Sequence, residues 1–453
     1  MFFLSNISII RYVMMFVPVL LIAPALAAAD ENMSLKQGVA YAVEHNRMLA
    51  VAASRVDKAN AEADIVTGRM LPRVDVSTGF ARSNSPMDSF GSKLMQRRIT
   101  AADLSPAALT HPTYINNYRS RLGLSMPVFA GGALWAGRAR ARHHAEASTL
   151  EFEFKKQQLI YQTIVAFVQS SQTQAQVDAN EKAVQAAEKR WQDVQALKKR
   201  GMAINSDVMD AHVHLLRTQV ALDEARAMHA NSTESLRLVL GMDAGHTPAV
   251  FDEPRVKFTS ESPEQLLAKA TERRPDLQAL ENELKAAESA RTESQAAYMP
   301  QVSLMAAQEW NNETFGLKNR DTMIGASVTM NLFAGGADRA RVRVAESERV
   351  ALSLQIEDKR QEIGNEVAQA LRSLHTAEKR LESEQKALEQ TSESLRIKSM
   401  RHAQGLEKTS DLLDAQVNLD VSRVAIIRAK YDVVIAQAAL LLAAGTLDEG
   451  VVQ

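Results

Sequence analysis

The sequence contains no cysteine. That absence excludes disulfides, thiolate nucleophiles, cysteine-based metal sites and attachment of a lipid to an N-terminal cysteine. Aromatic residues make up only 5% of the chain, although 46% of its 453 residues are apolar. The apolar share is therefore carried by Ala, Leu and Val, which suits long, closely packed helices better than a compact enzyme core. Neither sign of charge is in excess. The formal net charge is −1, so nothing in the balance draws the chain to nucleic acid. One apolar run follows Arg11, from Tyr12 to about Leu26, and gives way to small residues as far as Ala29. This order of charge, apolar stretch and A-x-A site predicts a signal peptide over 1–29, cleaved after Ala27 or Ala29, and hence export. No later stretch reaches the ~18 apolar residues that a membrane-spanning helix needs. A mature protein held in a membrane must then cross it as a β-barrel. No nucleophile–base motif, phosphate loop or metal-ligand spacing occurs. His143 and His144 are adjacent, and His212 and His214 are two apart, so neither pair shares one helix face. These histidines are expected on solvated surface. No metal, no cofactor and no enzymatic activity is expected.

What is present is a duplication. Phe129-Ala-Gly-Gly-Ala133 recurs as Phe333-Ala-Gly-Gly-Ala337, 204 residues on. At the same offset Gly201 to Ala211 aligns with Gly405 to Ala415, and Gly241 with Gly445. Upstream the offset is 228, matching Pro72 to Pro300 and Ser34 to Ser262, so the first copy carries 24 extra residues between Pro72 and Phe129. Register kept over this length means two copies of one structural unit.

Each copy has the same internal order. A helix is expected from Ser34 to about Arg69, with its twin from Pro263 to about Ala297, stopped by Pro72 and Pro300. Two segments of strict alternation follow in each copy. Val74, Val76, Thr78 and Phe80 alternate with Asp75, Ser77 and Gly79, and Leu122, Leu124, Met126 and Val128 alternate with Arg121, Gly123 and Ser125. The period of two predicts strands over 73–82, 118–128, 301–310 and 322–333, about 9–11 residues each, the length that crosses a bilayer at a tilt. The Gly-Gly pairs 131–132 and 335–336 lead into proline-free helices over 133–199 and 337–404, each roughly 100 Å long at 1.5 Å per residue. Gly201 and Gly405 are placed to end them with left-handed caps. Ser206 and Ser410 are placed to cap last helices over 207–240 and 411–444, with Asp207 and Asp411 in the first turn. The organisation expected is thus a first repeat over 30–241, a connecting segment over 242–261, a second repeat over 262–445 and a tail over 446–453. The first and last helices of a copy together equal the long one, so they are expected to stack end to end along it. Seven-residue stripes such as Leu412, Leu419, Ile426, Val433 and Leu440 predict coiled-coil packing. The fold class is mainly α with membrane β. Four strands cannot close around a lumen, and open edges in lipid leave unpaired backbone groups, so several chains must share one barrel. Two chains give eight strands and three give twelve; periodicity does not choose.

The order of these elements, Met126-Pro-Val-Phe-Ala-Gly-Gly132, the Gly-x5-Asp turns at 201–207 and 405–411, and Arg273-Arg-Pro-Asp-Leu277 resemble the TolC family of outer-membrane efflux proteins. The resemblance covers nearly the whole mature chain. It implies a homotrimer with a twelve-stranded barrel in the outer membrane of a Gram-negative cell, above an α-helical tunnel through the periplasm. It implies an exit duct for tripartite efflux or type I secretion. The implied partners are a periplasmic adaptor, an inner-membrane pump of RND or ABC type and outer-membrane lipid. Residues 242–262 would belong to the belt around the tunnel. Asp411 and Asp414 match two acidic positions that ring the entrance of such channels, and Asp207 matches an acidic position in the other tip. Repeated around a threefold axis, such carboxylates would attract cations. Gly201 and Gly405, with Ser206 and Ser410, resemble the tips that receive the adaptor. Glu407 and His402 depart from the family's best-known member, which has a basic residue and an aromatic there. Lys408 or Arg401 is left to take over that lock. The cluster Lys93 to Arg98 is expected in a solvated extracellular loop. The rival reading is a periplasmic coiled-coil scaffold or adaptor without a pore, which has no need of lipid-facing strands.

Overall fold

A computed structural model describes residues 32–246, 248–250 and 253–452. The expected signal peptide lies outside the described residues. The first copy begins with β1 (Asn32–Met33), α1 (Leu35–His45) and α2 (Arg47–Gly68). Strand β2 (Arg73–Ser83) leads through α3 (Pro86–Met95), a 3-10 turn and α4 (Pro106–Thr110) to β3 (Ile115–Ala130). The long α5 (Ala133–Lys199) and α6 (Asn205–Leu240) complete it. After β4 (Ala249–Val250) the second copy supplies α7 (Pro263–Arg273), α8 (Pro275–Gln295), β5 (Gln301–Asn312), β6 (Arg320–Thr329), α9 (Ala337–Ala403) and α10 (Thr409–Ala443).

The opening helix of each copy is expected to be continuous. In both it is broken. In the first copy Asn46 adopts extended backbone and its side chain accepts from the amides of Met48 and Leu49, which caps α2. In the second copy Pro275 occupies the first position of α8, and Arg274 before it is extended, as a residue preceding proline prefers. Both breaks rest on the end of the copy's last helix. The Asn46 amide donates to the Val239 carbonyl at 2.9 Å, and a Cβ on Gly241 (φ +79°) would lie 2.8 Å from the His45 carbonyl. Arg274 in turn meets Gly445, where a Cβ would sit 2.9 Å from the arginine Cγ. Arg274 is almost fully buried, bound by Asp276 and Glu366. The hinge thus fits a glycine end-cap that only a residue without Cβ allows.

The core is concentrated at this level. Phe167, Leu35, Ile164, Leu236 and Leu240 are fully buried in one cluster, joined by Leu447 and Val452 of the tail. A second cluster unites Leu277, Ile363 and Leu440. The parallel pairing of β1 with β4, and the contact of Val256 with Val452, bring the start of the first copy, the connecting segment and the tail together. Toward the tips the core thins to Val177, Leu222 and Ala225. There the seven-residue stripes carry the packing: Leu215, Leu222, Leu412 and Leu419 are buried. Along α5, α6 takes one part of its length and α1 with α2 the rest, while α8 packs alongside.

The four long strands form one antiparallel sheet in the order β2-β3-β5-β6. Strand β3 runs longer than expected because its two neighbours pair with offset stretches, residues 115–125 with β2 and 118–130 with β5. Its Pro127 lacks a donor, and the register shifts between Pro127 and Phe129, a bulge that lets a central strand tolerate proline. Strand β6 stops at Thr329, four residues short of expectation, because its partner β5 begins at Gln301 and offers no ladder beyond it. Among the described residues, β2 and β6 keep one edge each without a partner strand.

Candidate functional site

Two regions bear on function, and the first is the sheet. Its register places Val74, Leu124, Ala306 and Ile324 in one row, with Met126, Leu304 and Ala326 beside it on the same face. Val74, Val76, Leu122, Leu304 and Ile324 on this face are exposed in the single chain. The opposite face carries Asp75, Ser77, Arg119, Arg121, Glu309 and Asp321. One apolar and one charged face on an antiparallel sheet is the pattern of a wall between lipid and water. The long loop of the first copy folds onto the charged face. Its Gln96, 1% exposed, donates to the Asn116 carbonyl at 2.7 Å and to the Asn117 side chain at 3.0 Å, and Asn117 donates on to Asn311. The basic cluster expected to be solvated is instead paired. Lys93 binds Asp103 at 2.6 Å, Arg98 binds Glu313 at 2.5 Å, and Arg97 reaches Asp321 at 3.5 Å. The Lys93 ammonium, with help from Thr100, holds the Asp103 carboxyl down at about 2. Arg97 is left-handed (φ +54°), an unfavourable place for a side chain that the pinned loop enforces.

The second region is the pair of tips joining α5 to α6 and α9 to α10. Gly201 (φ +75°) and Gly405 (φ +73°) each end a long helix. The Met202 amide donates to the Leu197 carbonyl at 3.0 Å and that of Leu406 to Arg401 at 2.9 Å, so both turns are Schellman caps. Ser206 and Ser410 do not cap the next helices. The caps are Ile204 and Lys408, two residues earlier than expected, and both serines lie inside the first turn. Asp207 reaches back to accept from the Ile204 amide at 3.1 Å, the half of a capping box that the third helical residue supplies. Asp411 is half-buried, and its carboxylate makes no hydrogen bond or ion pair among the described residues; its main-chain carbonyl accepts from Lys398 at 3.2 Å. Asp414 is exposed and lies on a groove of about 900 Å³ between α6 and α10, with Asp210, His214, Ser410 and Asp420. His214 was expected on solvated surface. Its ring is half-buried, its Nε2 lacks a partner among the described residues, and burial pushes its pKa below the usual histidine value. His143 and His144 do lie near solvent, beside Glu146 and Glu283. Arg401 and Glu407 pair at 2.9 Å, and His402 meets Thr409 at 3.3 Å, so neither Arg401 nor His402 is free of local partners. Met202, Ile204 and Leu406 project apolar side chains at the very tips, each more than 60% exposed. None of the three is among the tip residues expected above, although apolar residues directly beyond a capping glycine are the available signal.

Comparison with known proteins yields a consistent set. The family model described as Outer membrane efflux protein matches residues 39–242 and 266–446. The outer membrane efflux protein BepC of Brucella suis is 23% identical over 296 residues, 64% of this chain and 64% of that protein. The chain thus spans just under two thirds of that relative's length. The alkaline protease secretion protein AprF of Pseudomonas aeruginosa is 23% identical over 345 residues, 74% of this chain and 71% of the relative. The solved structure of the outer membrane protein VceC from Vibrio cholerae superposes with a TM-score of 0.76 at 19% identity, covering 91% of this chain and 96% of that one. At that identity the likeness establishes the fold.

Proposed function

Because the chain belongs to the outer membrane efflux protein family, we propose that it is the exit duct of a tripartite efflux or type I secretion system, conducting cargo passively across the outer membrane. The family is one of channel proteins, and the protein resides in the outer membrane of a Gram-negative cell and extends into the periplasm. The observation that carries the reading is the four-stranded sheet with an apolar and a charged face and two unpaired edges, standing on helices of 67 residues. Edge strands β2 and β6 need partners in lipid, and a second and third copy supply them. A homotrimer then gives twelve strands. Asp411, Asp414 and, more weakly, Asp207 line the entrance, where no catalytic step is assigned. The tips, with Gly201, Gly405, Ser206, Ser410 and the apolar Met202, Ile204 and Leu406, receive a periplasmic adaptor that links the duct to an inner-membrane pump. Purified protein in planar bilayers is expected to give conductance steps, and a detergent-corrected mass three times that of one chain. Protein that dissolves without detergent and gives no steps would instead be a periplasmic scaffold.

A further inference from the structure

The charged face of the sheet holds an imbalance with a consequence for what the duct passes. Resting on the reading above, that face lines the barrel lumen. Its carboxylates are individually matched by arginines: Asp75 by Arg73 at 3.0 Å, Glu309 by Arg119 at 3.2 Å and Asp321 by Arg97 at 3.5 Å. Arg97 comes from the loop that only the first copy carries, and it also donates to the Arg320 carbonyl at 3.0 Å. Arg121 stands in the same row as Ser77, Glu309 and Asp321, is exposed, and has neither an ion pair nor a hydrogen bond among the described residues. The next row on this face runs Asp75, Gly123, Ala307 and Met323, and its one carboxylate is the one that Arg73 already binds.

We propose that Arg121 is the selectivity residue of the outer half of the duct: repeated in each chain of the barrel, it forms a belt of uncompensated cations that favours anionic cargo and disfavours small cations at the exit. The physical basis is the field of fixed charges in a confined pore, which concentrates counter-ions and is screened by salt. Neutralised neighbours add nothing to that field, so one residue per chain sets its sign. Arginine suits the role because it stays charged at any working pH and binds carboxylate or phosphate groups through a planar fork. The proposal also gives the long first loop a part: by bringing Arg97 to Asp321 it removes the acid that would otherwise balance Arg121.

The test uses the purified full-length protein in planar bilayers under a potassium chloride gradient, reading the reversal potential. Arg121→Gln is expected to lower the chloride-to-potassium permeability ratio by about twofold at 0.1 M salt, where screening extends only ~10 Å. The difference should fade toward 1 M, where the Debye length is ~3 Å. Arg121→Lys keeps the charge and should leave the ratio as in the parent. Glu309→Gln removes an anion from the same row and should raise it. An unchanged ratio in Arg121→Gln, in channels that still open, overturns the inference, as does a loss that Arg121→Lys fails to restore. Absence of any conductance in the parent protein would overturn the channel reading itself, so the two failures are separable.

Discussion

The two helix tips descend from one turn and have the same backbone, yet their side chains bind it differently. At an offset of 204, Gly201 corresponds to Gly405, Asp207 to Asp411 and Asp210 to Asp414, and both glycines make the same cap. Both turns are also tied across the same two positions, Lys198 to Asn205 at 2.6 Å and His402 to Thr409 at 3.3 Å. The difference lies around that tie. In the first tip Asp207 is spent on the Ile204 amide. In the second, Lys408 stands where Ile204 stood, Asp411 keeps a free carboxylate, and Arg401 pairs with Glu407 where the first copy has Leu197 and Ala203. Duplication preserved what the backbone requires and released what it does not. The second tip has charge to spare for a pore, and the first has more exposed apolar surface, through Met202 and Ile204.

The largest test of this contrast exchanges the acids. Asp411→Asn with Asp414→Asn should weaken cation selectivity and block by multivalent cations severalfold, because a ring of carboxylates is lost. Asp207→Asn with Asp210→Asn should change selectivity much less, since Asp207 already serves a backbone amide. Equal effects from the two pairs, read as reversal potentials, would abolish the distinction between the tips.

A smaller effect is expected with pH. His214 belongs to the first hairpin alone; its counterpart in the second is Asn418. Burial lowers its pKa, opposed by Asp420 on α10 and assisted by Arg217 on α6, while Asp210, Asp414 and Arg428 also face the groove. Above the unfolded value of about 6.5 the ring is neutral in both states and costs nothing. As pH falls below that value, the unfolded or opened chain takes up a proton that the buried ring resists, so closed packing loses stability. The loss grows with acidification until the lowered folded pKa is reached, and exposure of part of the ring to solvent keeps it small. Acidification from neutral toward pH 5.5 should therefore raise channel opening, and His214→Asn, which makes the first hairpin resemble the second, should flatten that dependence. A parent protein whose open probability is constant over this range would count against it.

The smallest effect concerns the ion pair found only in the second tip. Glu407→Gln releases Arg401, and because the arginine is more than half exposed the change in stability should stay within about 1 kcal/mol. Resting conductance should rise slightly, whereas Ala203→Ser at the matching position of the first tip should leave it unaltered. Single-channel recording of both variants makes the comparison.

Much of the architecture was legible because it rests on periodic or repeated signals. Alternation through Val74 to Phe80 and Leu122 to Val128 marks strands, and the glycines at 201 and 405 mark helix ends without reference to anything distant. The breaks at Asn46 and Arg274 were less legible. A capping asparagine and a proline at a first helical position were present as signals, but each also fits within the bounds of a longer apolar-periodic stretch. The caps at Ile204 and Lys408 ran against side-chain preference: neither side chain can accept from the first-turn amides, and only at Ile204 does an aspartate three residues on reach back to the cap residue's own amide. The pairing of Lys93, Arg97 and Arg98 had no local signal at all; two of their partners lie in the other copy, more than 200 residues away.

The sequence alone therefore determined the duplication, the lengths of the two long helices and the apolar and polar faces of each strand. These follow from periods of 2 and 3.6 residues and from backbone groups that must be satisfied within the element or beside it. Only the tertiary structure decided which charges remain unmatched. Whether Asp411, Arg121 or His214 is free depends on which side chains the fold brings within a few ångströms, and that distance is set by the packing of segments far apart in the chain.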